Sequence, residues 1–265
     1  MLRDPAVAGM FYEADAYALK KHVNEYIVKK EQKFDAKGIV VPHAGYIYSG
    51  KVAGEVYSSI NIPDVVIIMG PNHTGMGQPI SIMSEGVWRT PLGDVKINQP
   101  LANDILSNSG HIKKDTAAHL KEHSIEVQLP FLQEIKKNFS FVPIIFGEYN
   151  IGHLKDVAEA ISTSVKGRDG LLIASTDLTH YEDSKSAHKK DSLVLEAIEK
   201  LDESELLNVV QEHDISMCGW MPTFVMIHAC KLLGAKQAKI IKYMNSGDSS
   251  GDYSQVVGYG GAVII

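Results

Sequence analysis

The sequence predicts one α/β domain over residues 1–265, with a mostly parallel or mixed central sheet flanked by helices. Two observations predict it. Short apolar runs recur along the chain, and several end in a dense cluster of turn residues. Amphipathic segments of helical length alternate with them, as in βα units. No internal repeat, low-complexity tract or linker divides the chain, and 265 residues bury a substantial core without disulfides.

Residues 14–30 predict an amphipathic helix, with Leu19, His22, Val23, Tyr26 and Ile27 at helical spacing and lysines between them. GIVVP at 38–42 predicts a buried strand, followed by His-Ala-Gly-Tyr and a helix to about Ser59. DVVIIM at 64–69 predicts a second buried strand, closed by Gly-Pro-Asn-His-Thr-Gly. A short strand at 80–83 precedes VWRTPLGDVKI at 87–97, which alternates around a turn and predicts a hairpin. Trp88 and Arg89 in that hairpin fit either a lid or cross-strand packing. Helices are expected at 98–107 and 122–137, the second bent or restarted at Pro130. The βα rhythm then returns with strands at 139–145 and 170–175 and helices at 151–165, 184–201, 204–211 and 219–233. Strands at 238–244 and 255–265 close the chain.

Composition excludes several classes. The net charge is -6, with the two signs well mixed and no basic stripe, which argues against nucleic acid as a partner. The 2 cysteines, Cys218 and Cys230, are too few for a secreted disulfide framework, and the first 15 residues lack the pattern of a signal peptide. No run of 18 apolar residues is present, so no membrane span is expected. A cytoplasmic protein is the expectation. There is no P-loop, no Rossmann glycine fingerprint, no Gly-x-Ser-x-Gly elbow and no His-Glu-x-x-His.

The chemistry gathers at strand ends. Ligands of open α/β sheets bind beyond the carboxyl ends of the strands. Three buried strands run directly into polar clusters there, giving His43, then Asn72 and His73, then Asp177 and His180. A lone histidine in such a place is more often a structural hydrogen-bonding residue. Three in equivalent places point to one shared, metal-binding pocket, since imidazole suits zinc, copper and iron. Cys218, Asp177, Glu126 and His123 are candidates to complete it. His123 and Glu126 lie three apart, which on a helix places them on one face. Cys218 taken alone also fits a small buried residue. His22, His111, His153, His188, His213 and His228 fall on helices or helix ends and are expected to pack or face solvent.

An ordered set of motifs then resembles a known family. DPAVAGMFY from Asp4, PHAGYIYSG from Pro42, GPNH from Gly70, TPLGD from Thr90, EHSIEVQLP from Glu122, STDLTH from Ser175 and the Cys218-Gly219 pair look like the MEMO family across nearly the whole chain. The resemblance implies a fold shared with the class III extradiol dioxygenases. In those enzymes two histidines and a glutamate hold non-haem iron, and a further histidine is the acid/base. It implies His43 and His73 as metal ligands, with Cys218 in the third position. It implies Asp177 and His180 as polar pocket residues, with His123 and Glu126 in a motif nearby. Thiolate in place of carboxylate is softer and shifts preference toward copper, zinc or thiolate-ligated iron. The resemblance also implies copper or iron redox chemistry, phosphotyrosine-peptide binding in animals, and association with a radical SAM protein and an AMMECR1-type protein in prokaryotes. Metal-dependent oxidation with an open metal position is the first expectation. A binding module for a phosphorylated or acidic ligand, with Lys51 and Arg89 as the cations, is the second, and metal storage in a closed sphere the third.

Overall fold

The computed structural model describes residues 1–147 and 150–265. Four strands lie side by side and parallel, in the order Gly38–Val41, Gly170–Ser175, Val65–Pro71, Ser140–Phe146. Antiparallel strands extend this quartet on both sides. Val256–Ile264 pairs with Gly38–Val41, and Ile80–Ile82 pairs with Ser140–Phe146. Ala238–Asn245 and His180–Glu182 both join Val256–Ile264, and Lys113–Lys114 joins Ile80–Ile82. The sheet is therefore mixed, as the sequence predicts. A separate small sheet holds Leu2–Arg3, Val87–Thr90 and Gly93–Lys96.

The quartet is apolar at nearly every position because both of its faces are covered. Val40, Ile67, Met69, Leu172 and Ala174 face one core, built with the helices Gln99–Asn108, Ile151–Val165, Ser184–Glu199, Glu203–Glu212 and Trp220–Leu232. Their neighbours Ile39, Val41, Val66, Ile68, Leu171 and Ile173 face the other, built with Ala16–Tyr26, Tyr46–Ser58 and Leu129–Ile135. Each valine, leucine, isoleucine or methionine among them contributes about 1.5–3 kcal/mol on burial, so the strand ends stand on a rigid base.

Two differences from the sequence reading have local causes. The stretch expected as one helix at 122–137 is a turn through residue 125, a 3-10 segment Glu126–Gln128 and a helix Leu129–Ile135. Glu122 turns its carboxylate back onto the backbone N–H groups of His123 and Ser124 at 2.9 Å each. That geometry competes with a helical start, and Pro130 in the first turn of the later helix suits a new beginning. The strands Leu2–Arg3, Lys113–Lys114 and His180–Glu182 are too short to show a period. Trp88 is fully buried between Phe141 and the guanidinium of Arg3, which lies 4.1 Å from its ring. It is packing and not a lid.

One ion-pair cluster ties the far-side helices together and has a testable pH signature. Glu203 meets His228 Nδ1 at 2.8 Å and Lys231 Nζ at 2.7 Å. Burial raises its pKa, but the bonds from His228 and Lys231 outweigh that and hold it down at about 2. A folded-state value below the unfolded one means that ionised Glu203 stabilises the fold at neutral pH. That contribution is lost as the pH falls from 4.5 toward about 2. In Glu203→Gln, melting temperature measured against pH is expected to start lower at pH 7 and to fall less steeply over that acid range. Parallel acid limbs in the two proteins would contradict this role.

Candidate metal centre

His43 follows the Gly38–Val41 strand, His73 follows Val65–Pro71, and Asp177 lies two residues past Gly170–Ser175. Cys218 reaches the same place from the turn that precedes Trp220–Leu232. Gly219 lets that turn approach closely. A Cβ there would lie 2.5 Å from both Ser175 O and Thr176 Cβ. One ligand atom from each of His43, His73 and Cys218 falls within 4.8 Å of the others. The rings of His43, His73 and His123 cluster with centroids 4.6 to 5.4 Å apart.

Hydrogen bonds fix which nitrogen of each histidine is free. Ser175 Oγ lies 2.6 Å from Ser124 O, a carbonyl that can only accept, so Ser175 donates its one proton there. Gln128 Nε2 donates to the same Oγ and to Pro42 O, both at 2.9 Å, while Gln128 Oε1 accepts from Tyr57 OH. His43 Nδ1, 3.0 Å from Ser175 Oγ, is left as donor. The tautomer therefore carries its proton on Nδ1 and its lone pair on Nε2, which lies 3.2 Å from Cys218 Sγ. His73 follows the same logic. Its Nδ1 donates to Glu122 Oε1 at 2.9 Å, leaving Nε2 free. A protonated Nδ1 held by an oxygen acceptor is the arrangement that prepares an imidazole to bind metal through Nε2.

The electrostatics agree. Burial pushes the His43 pKa well down, with His123, His73 and His180 adding to it, so the ring stays neutral. Burial likewise lowers His123 to about 4, against the pull of Glu122. Burial raises Glu122, but the bond and charge of His73 and the Ser124 N–H more than offset it, leaving the carboxyl at about 2. Asp177 is pushed up to about 6 by burial, although its Oδ1 accepts the His43 N–H at 2.8 Å. Burial also raises the Cys218 thiol, while the Asp177 N–H, 3.3 Å from Sγ, lowers it.

The remaining residues named from the sequence divide into two groups. His123 sits in the cluster, with Phe11 packed 4.7 Å from its ring. His180 lies within electrostatic range of His43 and Asp177, and its Nδ1 is buried without a partner among the described residues. Glu126 turns elsewhere. Its Oε2 takes Arg3 Nη1 and Ala6 N, and its Oε1 takes Val7 N and Tyr12 OH. The carboxylate that meets the histidines is Glu122, which also closes a second candidate group with His73 and His123. Spacing favoured Glu126 only on the premise of a helix from residue 122. Ser175 and Gln128 also escaped the sequence reading, because nothing in a serine or glutamine codon position marks a bond to an imidazole. Arg89 is paired with Asp94 at 3.0 Å and Asp4 at 3.6 Å, in the small sheet.

A mixed α/β sheet with imidazoles and a thiol converging at its parallel strand ends defines a candidate metalloprotein. A model of Memo-like proteins matches residues 3–263, and this chain belongs to that family. It is 44% identical to a MEMO1 family protein of Aquifex aeolicus, over all of this chain and 99% of the relative. It is 43% identical to one of Methanopyrus kandleri over 99% of each chain, and 42% identical to one of Thermotoga neapolitana over all of each. Among solved structures, an uncharacterized protein from Escherichia coli K12 shares the fold with TM-score 0.57 and 12% identity, covering 86% of this chain and 98% of its own. Among the described residues no helix is long and apolar enough to cross a membrane.

Proposed function

We propose that the chain is a mononuclear metalloprotein that oxidises a small substrate, with His43, His73 and Cys218 as ligands. The observation that carries this reading is the gathering of ligand atoms of His43, His73 and Cys218 within 4.8 Å of one another, with Nδ1 of each histidine held by a hydrogen bond. Two imidazoles and a thiol fit copper, iron or zinc, and the soft sulfur favours copper or thiolate-ligated iron over harder ions. When bound, such an ion supplies Lewis acidity and, for copper or iron, single-electron chemistry.

The protein supplies the rest. Glu122 and Ser175 hold the two ligand rings in orientation, the role that carboxylates and hydroxyls play behind metal-bound histidines. His123, kept neutral, is placed to take a proton from a substrate. Asp177, with its raised pKa, is placed to give or receive one near neutral pH. His180 stands at the same mouth. Glu126 anchors the N-terminal segment and takes no part in proton transfer.

Three ligands leave room for a substrate, which separates catalysis from closed-sphere storage. With Arg89 committed to Asp94 and Asp4, binding of an acidic or phosphorylated ligand has less support. Elemental analysis of protein purified under reducing conditions tests the reading. About one equivalent of metal is expected in the parent, and less than a tenth of that in a His43→Ala/His73→Ala variant that keeps its circular dichroism. Equal metal in both proteins, or none in the parent after reconstitution, would remove the metal centre.

A further inference from the structure

Cys218 reaches the pocket from a turn, which lacks the ladder bonds that hold a strand end. Thr176 fixes that turn. Gly219 N donates to Thr176 Oγ1 at 2.9 Å, and Thr176 Oγ1 donates to Asp177 O at 2.8 Å. On the other side of the peptide, Gly219 O accepts from Thr223 N at 3.1 Å and Thr223 Oγ1 at 2.8 Å. Thr176 N also donates to Val41 O at 2.8 Å, two residues before His43. One residue therefore ties the strand end that carries His43 to the turn that carries Cys218, whose sulfur lies 3.2 Å from His43 Nε2.

A hydroxyl has one proton and two lone pairs. The Thr176 proton goes to Asp177 O, so it is not given to Cys218 Sγ, 4.0 Å away. Thr176 acts on the sulfur through the backbone. The donor that meets the sulfur is Asp177 N–H at 3.3 Å. Asp177 O lies 3.6 Å from the same sulfur, where it accepts from a thiol and repels a thiolate. The Thr176 bond draws electron density away from that carbonyl and so favours the thiolate, the form that binds metal. Packing alone would be served as well by valine, which has nearly the same shape. Valine makes neither bond, and it leaves the N–H of the buried Gly219 without its acceptor.

We infer that Thr176 is a positioning residue for the thiolate ligand, whose hydroxyl clamps the Cys218-Gly219 turn to the end of the Gly170–Ser175 strand and keeps the sulfur against the Asp177 N–H. Glu122 and Ser175 hold the two histidines by their side chains. Thr176 holds the cysteine by its neighbouring peptide, because a thiolate has no second atom to anchor. The inference deepens the metal-centre reading and rests on it for the ion.

Cobalt(II) is the probe, because its bond to sulfur gives a thiolate charge-transfer band that reports the ligand directly. It is titrated into the metal-free parent, Thr176→Val and Thr176→Ser. Thr176→Val is expected to bind cobalt about 10-fold more weakly, with its thiolate band weakened or shifted. Thr176→Ser keeps the hydroxyl and is expected to stay within about 3-fold of the parent, with the parent's band. A threonine that serves the fold alone would lower the melting temperature of Thr176→Val and leave cobalt affinity and the band unchanged, and that result overturns the inference. A Thr176→Ser variant as impaired as Thr176→Val also overturns it. A parent that shows no thiolate band is a different failure, since it removes Cys218 as a ligand and takes the metal-centre reading down with the inference. If Thr176→Val does not fold, a crystal structure of the cobalt-loaded parent decides. Thr176 Oγ1 bonded to Gly219 N, with the Asp177 N–H on the bound sulfur, supports the inference, and a Thr176 hydroxyl turned away from Gly219 overturns it.

Discussion

Replacing Arg3 with methionine is expected to lower the unfolding free energy by about 3–5 kcal/mol, the cost of stranding a buried charge. Arg3 is 1% exposed and Glu126 is fully buried. The guanidinium bonds Glu126, the Glu122 carbonyl at 2.7 Å and the His119 carbonyl at 3.0 Å, and it covers the Trp88 ring. Methionine keeps much of the packing and removes the charge. Glu126 then retains Ala6 N, Val7 N and Tyr12 OH but has no counter-ion. A loss of that size is a large share of the 5–15 kcal/mol typical of a domain. The urea midpoint measures it. Adding Glu126→Gln to Arg3→Met is expected to restore part of the loss, because the second change removes the unpaired charge. A single variant within about 1 kcal/mol of the parent would mean that the pair behaves like an exposed one. The segment at stake is the one that carries Phe11 onto His123 and accepts the Tyr46 N–H at Phe11 O, 2.8 Å away. The N-terminal anchor therefore reaches the edge of the pocket through Phe11, by its ring contact and its carbonyl.

The fold was legible where the physics is periodic. The four parallel strands are buried on both faces, and each is an unbroken apolar run ending in turn residues, so their places and the pocket at their ends could be read directly. The gathering of His43 and His73 was legible for the same reason, since they follow two of those runs; Cys218 was one of four candidates to join them, and the family resemblance singled it out. Contacts between distant segments were not legible. Arg3 and Glu126 are 123 residues apart, and each reads locally as an ordinary surface charge. The choice between Glu122 and Glu126 depended on a turn made by the Glu122 side chain itself, which no spacing rule anticipates.

The two glutamates of the 122–130 motif give the sharpest test of the pocket, because the geometry assigns them different work. Glu122 is fully buried and accepts the His73 Nδ1 proton as well as the backbone N–H groups of His73, His123 and Ser124. In Glu122→Gln the amide puts an NH₂ among donors, so at least one of those bonds turns repulsive and His73 loses its orientation. Loss of a carboxylate behind a ligating histidine typically lowers metal affinity about 10–100-fold. Competition against a chelator of known affinity is expected to show that drop for Glu122→Gln. Glu126→Gln is expected to lower the urea midpoint while leaving metal affinity within about 3-fold of the parent, since its partners all lie in the N-terminal segment. The contrast matters more than either number. Both residues are buried glutamates four positions apart, so general damage to the motif would weaken metal binding in both variants alike. Equal losses would therefore show that the turn, and not the Glu122 carboxylate, holds His73 in place.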